Sequence, residues 1–250
     1  MLTLTFPEYN LEVFAWIAWI PLFLAIENAT PQRAALFGFT TGMVFYNLGL
    51  SWINNTLINY GNLHWILSFA VLGLLSAYLS FFIALFCYFL RRVCVENHIQ
   101  FFLLAPVLWT SFEYLRSTHS KYGFSWLGLG YSQFQNLPVI QLAEWTGVYG
   151  ISWLILLVNS GLYLSWRCWR EQKQKPFELK EGWRILSVTL FVISLWFVYG
   201  TQYLKETLSS TTNRPHIKVG LVQGNVEQFM KWNPVYKNIV INKYARKTSC

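Results

Sequence analysis

The sequence contains no aspartate and few charged residues of any kind. Charged side chains make up 12% of its 250 residues, which is about half the share found in a soluble domain. Without aspartate, a Ser-His-Asp triad is excluded. The four cysteines, Cys87, Cys94, Cys168 and Cys250, have no zinc-like spacing, so we expect no metal site. No phosphate-binding glycine loop or nucleophile–base set is evident, and we predict no cofactor and no catalysis by these residues alone.

Hydrophobic and aromatic residues are abundant instead. They account for 54% and 19% of the chain, with 13 Trp, 14 Tyr and 20 Phe. Such an aromatic content is typical of membrane proteins, in which indole and phenol rings lie at the level of the lipid headgroups. The net charge of +8 could indicate nucleic-acid binding. The placement of the charges, however, indicates membrane topology, so no nucleic-acid partner is predicted.

Six apolar runs are long enough to be considered as membrane spans, because crossing a ~30 Å hydrocarbon core takes about 20 helical residues. The runs cover residues 11–26, 34–53, 64–90, 99–115, 137–166 and 183–204. Pro21 and Pro106 fall inside two of them, which neighbouring helices can tolerate in a membrane. The sequence therefore predicts an all-α polytopic membrane bundle of about six transmembrane helices.

The basic residues between these runs predict the orientation. If the connection after the first run lies on side A, side A receives nine Lys and Arg residues and side B two. Eight more follow from Lys205 onward. Cytoplasmic connections are enriched in Lys and Arg, which makes side A cytoplasmic. An even number of spans then leaves both termini on the extracytoplasmic side.

The composition changes near the end of the chain. We divide the sequence into a transmembrane domain at 1–208, a polar linker at 209–215 and the start of a second domain at 216–250. The β-branched run from Ile217 to Val222 predicts a buried strand, and Asn233 and Pro234 predict the cap and first turn of a helix. Fewer than about 40 residues rarely fold alone, so this tail is expected to open a larger domain.

Polar residues within the apolar runs are the candidate functional groups, because burying them in a membrane is costly. Glu113 and Arg116 would share one helix face. They could form a structural ion pair, or they could contact a lipid headgroup or substrate. Glu144 could equally be solvated or line a cavity.

Other polar residues are expected to be structural. His64 is interpreted as an interfacial histidine, and Asn47, Asn54 and Asn55 as hydrogen-bonding groups between helices. The loop at residues 121–133, with three glycines and four aromatic residues, could dip into the membrane interface or simply form part of an aromatic belt.

Three stretches of the sequence resemble a known family. Residues 38–52 read GFTTGMVFYNLGLSW, residues 105–133 read APVLWTSFEYLRSTHSKYGFSWLGLGYSQ, and residues 217–234 read IKVGLVQGNVEQFMKWNP. In content and order they are similar to apolipoprotein N-acyltransferase, the bacterial enzyme that completes lipoprotein maturation. The resemblance extends from the start of the chain to about Lys243.

This resemblance implies a function and a place in the cell. The family resides in the bacterial inner membrane and transfers an acyl chain from a phospholipid to the N-terminal amine of diacylglyceryl-cysteine in a lipoprotein. A cysteine forms a thioester, a glutamate acts as base and a lysine stabilises the oxyanion, all within an αββα nitrilase-like domain. The one functional position carried over to this sequence is Trp232, near the mouth of the active site, where it binds substrate or merely packs.

The departures from the family imply a truncated or frameshifted chain. The glutamate, lysine and cysteine of the family lie beyond the end of this sequence, so the chain is expected to be inactive alone. The alternatives are a degenerate, non-catalytic membrane component and one half of a split enzyme that assembles with a separately encoded nitrilase-like chain. An unrelated transporter would show internal symmetry and paired interrupted helices, and we find neither.

Overall fold

The protein is built from helices. The computed structural model describes residues 1–7, 9–94, 97–118, 123–171, 176–212, 217, 219–231 and 233–248, and these ranges contain no strand. The helices are α1 (Ile20–Ile26), α2 (Pro31–Gly49), α3 (Trp52–Asn59), α4 (Trp65–Val93), α5 (His98–Thr118), α6 (Leu137–Ile140), α7 (Ala143–Glu171), α8 (Pro176–Thr212), α9 (Gln228–Lys231) and α10 (Lys237–Thr248). Short 3₁₀ turns lie at Leu2–Thr5, Glu12–Trp16, Leu129–Gln133 and Pro234–Tyr236.

Three of the helices are long and apolar enough to cross a membrane. They are α4, α7 and the part of α8 at Lys180–Ser210. Helices α2 and α5 have 19 and 21 residues, which suffices for a ~30 Å core, but they are less apolar than the other three. The all-α character of the bundle is confirmed, and the structure supports three of the six expected spans.

The first expected span, residues 11–26, is not one continuous helix. The chain forms the 3₁₀ turn Glu12–Trp16 and then the short helix α1, with Pro21 in its first turn. Proline suits a helix start because it lacks the N–H that an interior position would use. Asn159 of α7 bridges the break: its Oδ1 accepts the Trp19 N–H at 2.9 Å, and its Nδ2 donates to the Ala15 carbonyl at 2.9 Å.

The second and fifth expected spans are also divided. Helix α2 ends at Gly49 and a separate helix α3 follows. The run at 137–166 contains the short helix α6 and then α7, whose backbone kinks at Gly147 with a φ of 62°. Positive φ favours glycine, which lacks the Cβ that makes this conformation unfavourable for other residues. The third and fourth runs each form one helix, α4 and α5.

Helices α2 and α4 pack closely against each other. A Cβ added to Gly38 would lie 2.7 Å from the Ile83 carbonyl oxygen, and one added to Gly42 would lie 2.7 Å from Ser80 Oγ. Small residues at such positions let helix backbones approach closely, which is how helices associate in membranes, where lipid is as apolar as the side chains. This contact sets the position of the C-terminal end of α2, which lies beside the site described below.

The C-terminal residues differ from the expected start of a second domain. Residues 217 and 219–222 form no strand; a strand needs a neighbour for its backbone N–H and C=O groups, and none lies in the described part of the chain. The predicted helix start is confirmed, because Asn233 Oδ1 accepts the Val235 N–H at 3.0 Å and α10 follows. Helix α8 continues to Thr212. The division into two domains stays a prediction.

Candidate functional site

Glu113 and Arg116 lie on one face near the C-terminal end of α5, and both are almost wholly buried. Their exposed fractions are 2% and 1%. They form no direct ion pair within 4 Å; each binds the backbone of the loop that follows α5. The expected pairing across the helix is therefore replaced by contacts to a loop.

Arg116 holds the first part of this loop. Its Nη1 donates to the carbonyls of Phe124 and Trp126 at 3.0 and 2.9 Å. The guanidinium also lies over the Tyr46 ring, 5.6 Å from the ring centroid, a cation–π contact. Charge-assisted hydrogen bonds are about twice as strong as neutral ones, so Arg116 fixes the path of the loop where it leaves α5.

Glu113 and Ser152 hold the second part. Glu113 Oε1 accepts the Leu129 N–H at 2.5 Å, and Ser152 Oγ of α7 accepts the Gly130 N–H at 2.8 Å. A Cβ on Gly130 would lie 2.3 Å from the Val148 carbonyl oxygen, so only glycine fits here. The 3₁₀ turn Leu129–Gln133 is thereby packed against α7.

Gln133 connects the loop to the start of the chain. Its Oε1 accepts the Trp16 indole N–H at 3.1 Å, and its Nε2 donates to the Glu12 carbonyl at 3.0 Å. Gln133 is fully buried, and buried amides are stable only when they are hydrogen-bonded. Three separate parts of the sequence, the N-terminal segment, α5 and α7, thus hold this one loop.

A cavity of about 580 Å³ lies beside the loop. Its lining combines the N-terminal segment, the end of α2, the start of α3 and the loop: Thr3, Phe6, Pro7, Tyr9, Leu48, Gly49, Ser51, Trp52, Ser125, Trp126, Leu127 and Tyr131. The Trp52 and Trp126 rings are 5.0 Å apart. Leu127 has a φ of 57° and covers Gly49, whose added Cβ would lie 2.5 Å from Leu127 Cδ1.

The chemistry of the cavity suits the binding of a ligand. Most of its described lining is apolar, with a few hydroxyl groups, and none of the described lining residues carries a carboxylate or an imidazole. Within the described ranges no group of three or more His, Cys, Asp or Glu side chains could hold a metal ion. A mostly apolar cavity with a few polar groups is typical of a site for a partly apolar ligand.

The other candidate residues that the structure describes are not part of the lining of this cavity. Glu144 is exposed and accepts a short hydrogen bond from the Tyr203 hydroxyl. His64 caps helix α4 through Nδ1 and the Ile66 N–H at 3.4 Å. Asn54 accepts the Ser68 hydroxyl at 2.8 Å between α3 and α4, as expected. Trp232 lies outside the described residues.

The remaining asparagines bond within their own helices. Asn47 donates to the Met43 carbonyl at 2.8 Å, and Asn55 accepts from Asn59 one turn later. The expectation of contacts between helices is thus wrong for these two. Gln133 and Asn159 were not predicted from the sequence. For Asn159 a signal was present, because a lone amide inside an apolar run indicates a buried hydrogen-bonding group; Gln133 lies outside the apolar runs.

The apolar helices and the amphipathic cavity define a helical membrane protein with a binding site at one end of its bundle. The family model "Apolipoprotein N-acyltransferase N-terminal domain" matches residues 1–161. The chain belongs to the apolipoprotein N-acyltransferase family.

Curated relatives with the name apolipoprotein N-acyltransferase agree with this assignment. The protein of Geobacter metallireducens is 36% identical over 246 residues, covering 98% of this chain and 45% of the relative. The proteins of Nitrosomonas europaea and Vibrio parahaemolyticus are 34% and 30% identical and cover 88% and 98% of this chain. The chain spans about half the length of the curated relatives that it matches: 45%, 41% and 45% for these three.

Proposed function

We propose that this chain forms the membrane part of an apolipoprotein N-acyltransferase. The complete enzyme takes an acyl chain from a phospholipid such as phosphatidylethanolamine and transfers it to the N-terminal amine of diacylglyceryl-cysteine in a lipoprotein. The cavity between the N-terminal segment, α2, α3 and the loop after α5 is the observation that carries this proposal. Its apolar lining suits an acyl chain, and its hydroxyl groups suit the ester end of a lipid.

Glu113 and Arg116 act as positioning residues in this proposal. They bind backbone groups of the loop that supplies Ser125, Trp126 and Leu127 to the cavity. Because they hold the loop at several points, the cavity keeps its shape without a bound ligand. A preformed site binds more tightly because less ordering is needed on binding.

The chemical steps belong to a nitrilase-like domain. We propose that the family's glutamate, lysine and cysteine belong to that domain and that this chain is therefore inactive alone. The nitrilase-like residues could lie on the same polypeptide or on a separate one. The exposed fractions of Ile217, Val219 and Leu221 are 86%, 73% and 93%, and this alternation of exposed apolar residues supports a segment that becomes a strand when a sheet covers it. Trp232 would then stand near the mouth of the active site.

We also propose that all six apolar runs lie within the inner membrane of a bacterium, with both termini extracytoplasmic. The nine basic residues on one side support this orientation. Alkaline phosphatase fused after Leu208 should be active, and the same reporter fused after Arg92 should be inactive. The reverse pattern would overturn the orientation while leaving the cavity unaffected.

Photocrosslinking tests the role of the cavity. The purified chain is reconstituted with phosphatidylethanolamine that carries a diazirine in its acyl chain, and labelled peptides are mapped by mass spectrometry. Labels should concentrate at residues 48–52 and 125–127. The variant Trp126→Ala should lower this labelling, whereas Trp65→Ala, which removes an exposed tryptophan outside the cavity, should not. Labelling spread evenly over the exposed helix faces would contradict the proposal.

An activity assay tests the acyltransferase role. The chain is incubated in vesicles with phosphatidylethanolamine and a diacylated lipopeptide, with and without a nitrilase-like domain from a relative. Transfer should require both polypeptides, and it should fall with Trp126→Ala. Transfer by the chain alone would refute its proposed inactivity, and transfer by the added domain alone would refute the role of the membrane part.

A further inference from the structure

A second cavity lies at the opposite end of the bundle, between α7 and α8. Its volume is about 320 Å³, near the lower end of the range for ligand pockets. It is lined by Trp166, Trp169 and Trp183 and, between them, by Leu162 and Leu186. We refer to these five residues as the tryptophan groove.

The groove forms because α7 and α8 approach closely beside it. Ser165 Oγ donates to the Gly182 carbonyl at 3.2 Å, and a Cβ on Gly182 would lie 2.8 Å from Cys168 Cβ. Bulky indoles do not fit between helices at this separation, and all three tryptophans of the groove are exposed. The groove is thus an apolar recess that opens at the protein surface.

Basic residues lie on both helices that form the groove. The Arg170 guanidinium lies over the Trp166 ring, 4.8 Å from its centroid, and Arg170 stays 43% exposed although its Nη2 contacts Glu27 and Glu171. Lys180 and Arg184 are exposed on α8. In the sequence, Lys173 and Lys175 lie in the connection between the two helices, outside the described residues.

We propose that the tryptophan groove binds an anionic phospholipid from the leaflet at this end of the bundle. An acyl chain would lie against Leu162 and Leu186, and the phosphate would lie near Arg170 and Lys180. Tryptophans concentrate at the headgroup level of membranes, and basic pockets between transmembrane helices bind anionic headgroups. The site is separate from the cavity beside Trp126, and the proposal does not depend on acyl transfer.

The charge of the lipid headgroup distinguishes a specific site from a general aromatic belt. An aromatic belt without a specific site would accept zwitterionic and anionic lipids equally. The basic residues favour a negative headgroup, and each basic residue next to the bound headgroup should contribute about fivefold to the affinity for anionic lipid. Phosphatidylglycerol and phosphatidylethanolamine with the same acyl chains share their apolar part and differ in the headgroup, which carries a net negative charge only in phosphatidylglycerol.

Native mass spectrometry of the full chain in detergent tests this binding. With equal amounts of the two lipids, one phosphatidylglycerol should be retained in preference to phosphatidylethanolamine. Arg170→Gln and Lys180→Gln should each lower the retention of phosphatidylglycerol by about fivefold. Trp169→Ala should weaken the binding of both lipids, and Trp183→Ala repeats this test should the first variant fail to fold.

Two matched controls distinguish a site from general attraction. Arg92→Gln removes an exposed charge on α4 at the same end, and Trp65→Ala removes an exposed tryptophan at the other end. Both should retain phosphatidylglycerol like the unmodified chain. Equal retention of the two lipids, or equal losses in Arg92→Gln and Arg170→Gln, would overturn the proposal.

Discussion

The two ends of the bundle hold their charged residues in different ways. At the end with the cavity beside Trp126, Glu113 and Arg116 are buried and bind backbone groups of a loop. At the other end, Glu27 contacts Arg167 at 3.1 Å and Arg170 at 2.5 Å, and both arginines are partly exposed. Removing the partners of a buried charge is strongly destabilising, but Glu27, although only 7% exposed, has two arginine partners of which one can be lost. The comparison indicates that the loop beside Trp126 is held in one conformation by these buried contacts.

The largest expected effect is at Arg116. Arg116→Met leaves the Phe124 and Trp126 carbonyls without their hydrogen-bond donor, and each buried acceptor left unsatisfied costs about 1–3 kcal/mol, so the free energy of unfolding should fall by about 2–6 kcal/mol. Denaturant unfolding in mixed micelles measures this change. Arg92→Met, which alters an exposed arginine, should stay within about 0.5 kcal/mol. Equal stability of the two variants would remove the distinction between the ends.

A smaller effect is expected at Gly130. Gly130→Ala would place a Cβ 2.3 Å from the Val148 carbonyl oxygen, and such overpacking typically destabilises by about 1–3 kcal/mol. Gly73→Ala is the matched control, since a Cβ there meets nothing within 4 Å and should stabilise helix α4 by about 0.5–1 kcal/mol. Thermal unfolding of both variants gives the comparison, and a stable Gly130→Ala would contradict the close packing of the loop on α7.

Arg170 should matter little for stability. Arg170→Gln leaves the nearly buried Glu27 paired with Arg167, and Arg170 itself is 43% exposed, so its removal should cost about 0.2–1 kcal/mol, as for an exposed pair. Unfolding in low and high salt measures the remaining contribution, which salt should screen. A loss as large as that of Arg116→Met would show that both ends are equally rigid.

The smallest effect concerns the reactivity of Cys94, which follows α4 at the same end of the bundle as the tryptophan groove. Burial raises the pKa of the Cys94 thiol, while nearby Arg91 opposes the shift. Because the thiolate is the reactive form, Cys94 should label more slowly than an ordinary exposed cysteine at pH 7 and faster as the pH rises. Maleimide labelling in a Cys250→Ser background, before and after denaturation, tests this. Rapid labelling of the native protein would show that the Cys94 thiol is accessible to solvent and not buried.

The sequence predicted the positions of the helices better than the positions at which the helices are interrupted. Hydropathy locates α4 and α5 because each is one continuous run. It misjudged the segment around Pro21 and the one around Gly147, where a local backbone property ends one helix and starts another. The strand at 217–222 was predicted from composition, yet a strand forms only beside another strand, and composition does not reveal whether one is present.

The candidate site could be predicted in part. The cost of burying charge pointed to Glu113 and Arg116, and the structure places both in buried positions. Helical spacing suggested that they pair with each other, whereas they bind a loop whose path no periodicity describes. The contribution of Gln133 depends on Trp16, which lies 117 positions away in the sequence, and single-sequence patterns do not contain contacts over such distances.

These distant contacts have a consequence for how the protein is assembled. The Trp16 indole N–H is hydrogen-bonded by Gln133. The Trp19 N–H and the Ala15 carbonyl are hydrogen-bonded by Asn159, which lies 140 positions after Trp19 and 144 positions after Ala15. Synthesis proceeds from the N-terminus, so these polar groups must wait until α7 has been made and inserted. Contacts at long sequence separation form slowly because the intervening chain must first be ordered. The segment around Ala15 to Trp19, which is synthesised before α7, is therefore among the last parts of the bundle to be packed.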